Sequence, residues 1–173
     1  MKQHFLEKLS CGDLGLEFWW DSSPLVFDEW KENFLKKLDK NKRNMYLSFF
    51  NNLISESNPS TQFFLGATTN PILAWKAILA DRVSWSRFVE SKKKSFRENA
   101  EALFWALYME IAKLGAEKFL PLYESSCKKY GYISVQMDIR DMHNIDAMIA
   151  KAEELVELSP NIMIKVPGTA TGY

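Results

Sequence analysis

The chain has 173 residues, 47% of them hydrophobic and 14% aromatic, which is enough apolar material for one domain with a packed core. Lysine plus arginine and aspartate plus glutamate each number 22, so a formal net charge of zero gives no general pull toward nucleic acid or an anionic membrane. The isolated pairs Cys11 and Cys127, and His4 and His143, argue against a disulfide framework, a metal site and a serine–histidine triad.

In chain order, residues 1–9 lack the apolar core of a signal peptide, and no run of eighteen apolar residues follows, so a soluble cytoplasmic protein is expected. Residues 16–20 (Leu-Glu-Phe-Trp-Trp) form the first short apolar run and read as a buried strand. From 22 to 61 the pattern turns helical, with stretches near 27–39 and 44–56 and an apolar stripe of Trp30, Phe34, Leu35 and Leu38. This segment is long for one crossover and is expected to be a helical insertion packed outside the sheet. The basic runs Lys36-Lys37 with Lys40, Lys42 and Arg43, and Lys92-Lys93-Lys94, read as solvated helix faces.

Residues 63–65 are the second strand, after which Asn70-Pro71 suits a helix N-cap with proline at the first helical position. A helical stripe of Ala100, Leu103, Phe104, Leu107, Ile111 and Leu114 is expected to end at Gly115, a favoured helix terminator. Residues 132–135 are the third strand, and Ile145, Met148, Ile149, Ala152, Leu155 and Val156 mark another helix with its face to the core. Residues 162–164 are the fourth strand. Strands alternating with helices imply right-handed βα units and a parallel sheet, either doubly wound or closed into a barrel. No GxGxxG or GxxxxGK follows the first strand, which removes the main sequence support for a nucleotide-binding sandwich.

Every strand ends on a polar residue: Asp21, Asn70, Gln136 and Lys165. In a barrel the C-terminal strand ends converge on one mouth, so residues far apart in sequence meet there. Each has a local explanation as well: Asn70 as a cap, Asp21 as a turn former, Gln136 and Asp138 as a strand end meeting water, Lys165 as a cation reaching solvent. Four such exceptions at matched positions point to a site. Burial disfavours the charged form of a lysine, and a neutral amine at Lys165 is able to form a Schiff base with a carbonyl.

The segments Gly66-Ala-Thr-Thr-Asn-Pro-Ile-Leu73, Ile133-Ser-Val-Gln-Met-Asp138 and Ile162-Met-Ile-Lys-Val-Pro-Gly-Thr-Ala-Thr-Gly172 resemble the transaldolase family, including its fructose-6-phosphate aldolase branch. The resemblance implies a (β/α)8 TIM-type barrel, of which these 173 residues hold about the first four βα units, in a single domain. It also implies a class I aldolase that works without metal or organic cofactor on a sugar phosphate or related ketose and aldehyde. Carried over, Lys165 is the Schiff-base nucleophile, Asp21 the acid/base of strand one and Asn70 the substrate-contacting asparagine of strand two. Thr69 beside it and Ser134 on strand three are further substrate-binding positions. Gln136 departs from the glutamate usual in transaldolases: it positions a water but takes no proton from it. Glutamine here matches the fructose-6-phosphate aldolase branch, whereas the separation from Asn70 to Gln136 is closer to the longer transaldolase layout. Strands five to eight, with the family's phosphate-binding arginines, are expected from further residues, a second chain or self-association. Two rivals stand beside an active aldolase: an impaired or inactive homologue kept as an assembly partner, and a sheet-poor helical module presenting its tryptophans.

Overall fold

The computed structural model describes residues 9, 16–96, 99–166, 168 and 169. His4, Cys11 and, in the lysine-centred motif, Pro167, Ala170, Thr171 and Gly172 lie outside them. Four strands, β1 (Phe18–Trp20), β2 (Phe64–Thr69), β3 (Tyr132–Gln136) and β4 (Ile162–Lys165), form one sheet in the order β1-β2-β3-β4. Every pairing is parallel. Around them run α1 (Phe27–Lys36), α2 (Lys40–Asn51), α3 (Pro71–Ala80), α4 (Arg82–Lys93), α5 (Ala100–Ser125) and α6 (Ile145–Val156). Strands laid down in sequence order without reversal, with one face under helices, are the pattern of a partial TIM-type barrel; a doubly wound sheet reverses direction. The four strands also overturn the sheet-poor helical module, and Trp85 and Trp105 are buried in the core.

The period of two along the strands decides which face is covered. Ala67, Thr69, Ile133, Val135 and Ile162 are buried against Ala74, Ala77, Tyr108, Ile111, Phe119, Met148 and Leu155 of the helices. Gly66, Thr68, Ser134, Gln136, Met163 and Lys165 alternate with them on the other face. That second face is the interior of the partial barrel. Trp19 lies across it, and a Cβ on Gly66 would stand 2.8 Å from the indole ring and 2.7 Å from the Tyr132 carbonyl. Only glycine leaves room there.

The 22–61 segment packs through its own aromatic cluster of Phe27, Leu35, Phe50 and Leu53, joined by Trp20, Phe49, Phe63 and Phe64. Asp39 accepts from the Lys42 amide at 3.0 Å, so α2 begins at Lys40 rather than near 44. Lys118 on α5 ties the segment down through Asp28 (3.4 Å) and Glu56 (3.1 Å).

Three expectations are corrected. The helix of the 100–114 stripe does not stop at Gly115 but runs on to Ser125 through Pro121. Gly115 is buried in α5 because Pro24 crosses it closely; a Cβ would meet Pro24 Cδ at 3.2 Å. In α6 only Met148 and Leu155 are buried and Ala152 is half-buried, whereas Ile145, Ile149 and Val156 are exposed. On α1, Trp30 and Phe34 are also about 40% exposed, at 39% and 40%. The sequence stripes are wider than the surface the described neighbours cover.

The strand starts are locked by one residue. Asn161, fully buried, donates through Nδ2 to the carbonyls of Ala116 (2.9 Å) and Gly131 (2.8 Å) and accepts from Ser159 Oγ. Gly131, at φ +85°, donates its N–H to the Leu65 carbonyl at 2.7 Å. The beginnings of β2, β3 and β4 and the middle of α5 are thereby joined, and this fixes how far each strand rises toward its C-terminal end.

Candidate active site

Because all four strands are parallel, Asp21, Asn70, Gln136 and Lys165 stand at one end of the sheet. Gln136 is the register partner of Lys165, and Thr69 of Val135, so Asn70, Gln136 and Lys165 fall in one row. With neighbouring strands about 4.8 Å apart, that row spans about 10 Å. Continuing the pairing of Trp20 with Ala67 puts Asp21 one interior row lower, level with Thr68, Ser134 and Met163. An acid, two hydroxyls, two amides and an amine therefore share the interior face.

Local chemistry explains how each is held. Asn70 has extended backbone and caps α3, its Oδ1 accepting from the Leu73 N–H at 2.9 Å, with Pro71 following. The cap uses the amide oxygen and leaves the NH2 group for another partner. Gln136 ends β3, where its backbone carbonyl accepts the hydroxyl of Tyr108 at 2.8 Å. Burial pushes the Tyr108 phenol well above its ordinary range, outweighing that hydrogen bond, so it stays a donor. Two residues on, Asp138 caps a short 3₁₀ turn by accepting from the Arg140 N–H, and the Arg140 guanidinium grips the same carboxylate. Those hydrogen bonds hold the Asp138 carboxyl below the usual aspartate value, so it is a structural anion rather than a proton donor.

Lys165 and Asp21 are exposed among the described residues. Among the described residues no apolar enclosure surrounds Lys165, because Ile162 and Ile164 alternate to the helix side while its own side looks onto the open interior. Thr69 is misplaced by the sequence reading. It is 2% exposed on the helix-facing side, and its Oγ1 has no hydrogen-bond partner among the described residues. Thr68 is the hydroxyl on the interior face, and counting back by two from Asn70 finds it. Tyr108 left no comparable signal, since in sequence it is one more apolar position of α5. A cavity of about 640 Å³ bordered by Trp105, Arg140 and Lys151 lies between outer helices and not on this face. No group of three or more His, Cys, Asp or Glu able to hold a metal occurs among the described residues. Among the described residues, no helix is long and apolar enough to cross a membrane.

The family model described as Transaldolase/Fructose-6-phosphate aldolase matches residues 51–173. A transaldolase of Campylobacter jejuni (strain RM1221) is 32% identical over 110 residues, covering 62% of this chain and 32% of that protein. Transaldolase 1 of Streptomyces avermitilis is 36% identical over 110 residues, covering 62% and 29%. A transaldolase of Mycobacterium leprae (strain Br4923) is 28% identical over 114 residues, covering 65% and 30%. The chain spans about a third of the length of these relatives.

Proposed function

Since the chain belongs to the transaldolase/fructose-6-phosphate aldolase family, we propose that it carries the Schiff-base half of a class I aldolase acting on a ketose such as fructose 6-phosphate. One observation carries this: Lys165 stands in register with Gln136, in the same row as Asn70, on the interior face at the C-terminal end of the sheet. The family match includes Asn70, Ser134, Gln136 and Lys165, whereas Asp21 lies before it, so its role rests on its place after β1.

In this mechanism neutral Lys165 adds to the C2 carbonyl, and loss of water from the carbinolamine gives an iminium. Asp21 accepts the C4 hydroxyl proton as the C3–C4 bond breaks, and the bonding electron pair moves into the iminium to form an enamine. The aldehyde leaves. The dihydroxyacetone unit then passes to an acceptor aldehyde, or is protonated and released by water. Ser134, Thr68 and the NH2 group of Asn70 offer hydrogen bonds to the sugar hydroxyls. Gln136 holds the water without taking its proton.

The interior face and both edge strands must be covered for the amine to be desolvated, because parallel sheets are buried on both sides. Four further strands complete the barrel, from residues beyond Tyr173, a second chain or a second copy, and segment 22–61 remains outside as a helical insertion. Sedimentation of the 173-residue chain alone is expected to show self-association. A monodisperse monomer with one cooperative unfolding transition contradicts this.

The identity of residue 136 separates the activities. In the assembled protein, Gln136→Glu is expected to preserve the unfolding midpoint and raise transfer to an acceptor aldehyde by about 10²-fold, the lower end of what a positioned proton acceptor contributes. Robust transfer in the wild type that Gln136→Glu abolishes contradicts the assignment. Gln136 also favours a second reading, an impaired homologue serving in assembly, and this stands if both forms are silent.

A further inference from the structure

One peptide unit at the end of β3 is held from both sides. Its carbonyl, on Gln136, accepts the Tyr108 hydroxyl at 2.8 Å, and its N–H, on Met137, donates to the backbone carbonyl of Lys165 at 3.4 Å. A peptide group is planar, so fixing its carbonyl fixes the direction of its N–H. Tyr108 is 1% exposed and packs on Trp105 with ring centroids 5.3 Å apart, so the hydroxyl comes from a rigid part of α5. The helix is thereby linked through one planar group to the backbone of the lysine. The same link sets the Cα of Gln136, from which its side chain departs.

We propose that Tyr108 is a positioning residue, holding Gln136 and Lys165 at a fixed separation through the Gln136–Met137 peptide. The consequence for chemistry rests on the proposed roles of Gln136 and Lys165; the tie itself does not. A carbonyl that loses its partner is free to tilt, and the already long Met137–Lys165 bond weakens with it.

Tyr108→Phe keeps the ring and removes only the hydroxyl. In this chain, amide hydrogen exchange at Met137 is expected to accelerate about tenfold relative to Ile133 in the middle of the same strand. With the barrel assembled, trapping at Lys165 by borohydride with dihydroxyacetone is expected to lose about tenfold in rate at saturating donor, with the half-saturating concentration unchanged. Exchange that changes equally at Met137 and Ile133 shows a merely structural tyrosine and overturns the proposal, as does trapping that keeps its saturating rate. If the wild type with its barrel assembled traps nothing, the Schiff-base assignment fails, and the exchange ratio alone then decides whether Tyr108 holds this peptide.

Discussion

Lys165→Arg is expected to remove every donor-dependent reduction product at that position, whereas Asp21→Asn keeps the product and loses about 10²–10⁴-fold in C3–C4 cleavage. The asymmetry follows from when each group acts. A guanidinium stays protonated throughout the working range and has no lone pair to add to a carbonyl, so the first step is lost with the lysine. Asp21 is needed only afterwards, for the C4 hydroxyl proton, so its amide analogue stalls with the iminium formed. Both side chains are exposed, so neither substitution should disturb the fold. Intact mass after borohydride and the rate of aldehyde release give the two readouts. An adduct that survives in Lys165→Arg, or one that disappears in Asp21→Asn, removes the assigned roles.

The second large effect is on stability. A Cβ at Gly131 would stand 2.4 Å from the Tyr123 nitrogen and 2.7 Å from the Phe119 carbonyl, both backbone atoms of α5, at φ +85°. Gly131→Ala must therefore shift the helix or the start of β3, and a loss of about 3 kcal/mol or more is expected. Asn161→Leu strands the carbonyls of Ala116 and Gly131 in the core, at about 1–3 kcal/mol for each buried group left unpaired. Domains of this kind have about 5–15 kcal/mol in total, so either change removes a large share. Gly168→Ala is the control, because nothing among the described residues lies within 4 Å of a Cβ there. Urea unfolding midpoints compare the three variants. Equal midpoints for Gly131→Ala and Gly168→Ala would show that the junction of β2, β3 and α5 is not the anchor described.

These two sets of residues differ in how well the sequence announces them. Strand positions were legible because short apolar runs between turn residues have few other uses, and the polar residue closing each run falls at one common end of the parallel sheet. Asn70-Pro71 was legible as a cap, and the cap is in place. Face assignment is where local pattern fell short. Thr69 and Thr68 are chemically identical neighbours that composition does not separate, and it takes the strand's period of two, counted back from Asn70, to put Thr69 under the helices. Glycine misled in a similar way. Gly115 was read as a helix end, yet its lack of a side chain serves the crossing of Pro24, ninety-one positions earlier in sequence. Gly131, which does require a left-handed backbone, carried no distinguishing mark. The exposure of Lys165 was invisible for another reason: its apolar neighbours Ile162 and Ile164 face the helices, while its own side looks onto the open interior.

The central claim is a covalent intermediate on one lysine among many. With the barrel assembled, the protein is incubated with dihydroxyacetone or fructose 6-phosphate, reduced with borohydride, digested and mapped by peptide mass. The account predicts a single sugar-derived addition, on the peptide containing Lys165, at donor concentrations that leave exposed lysines such as Lys36 and Lys92 unmodified. An addition spread over the surface lysines, or placed on one other lysine, contradicts it.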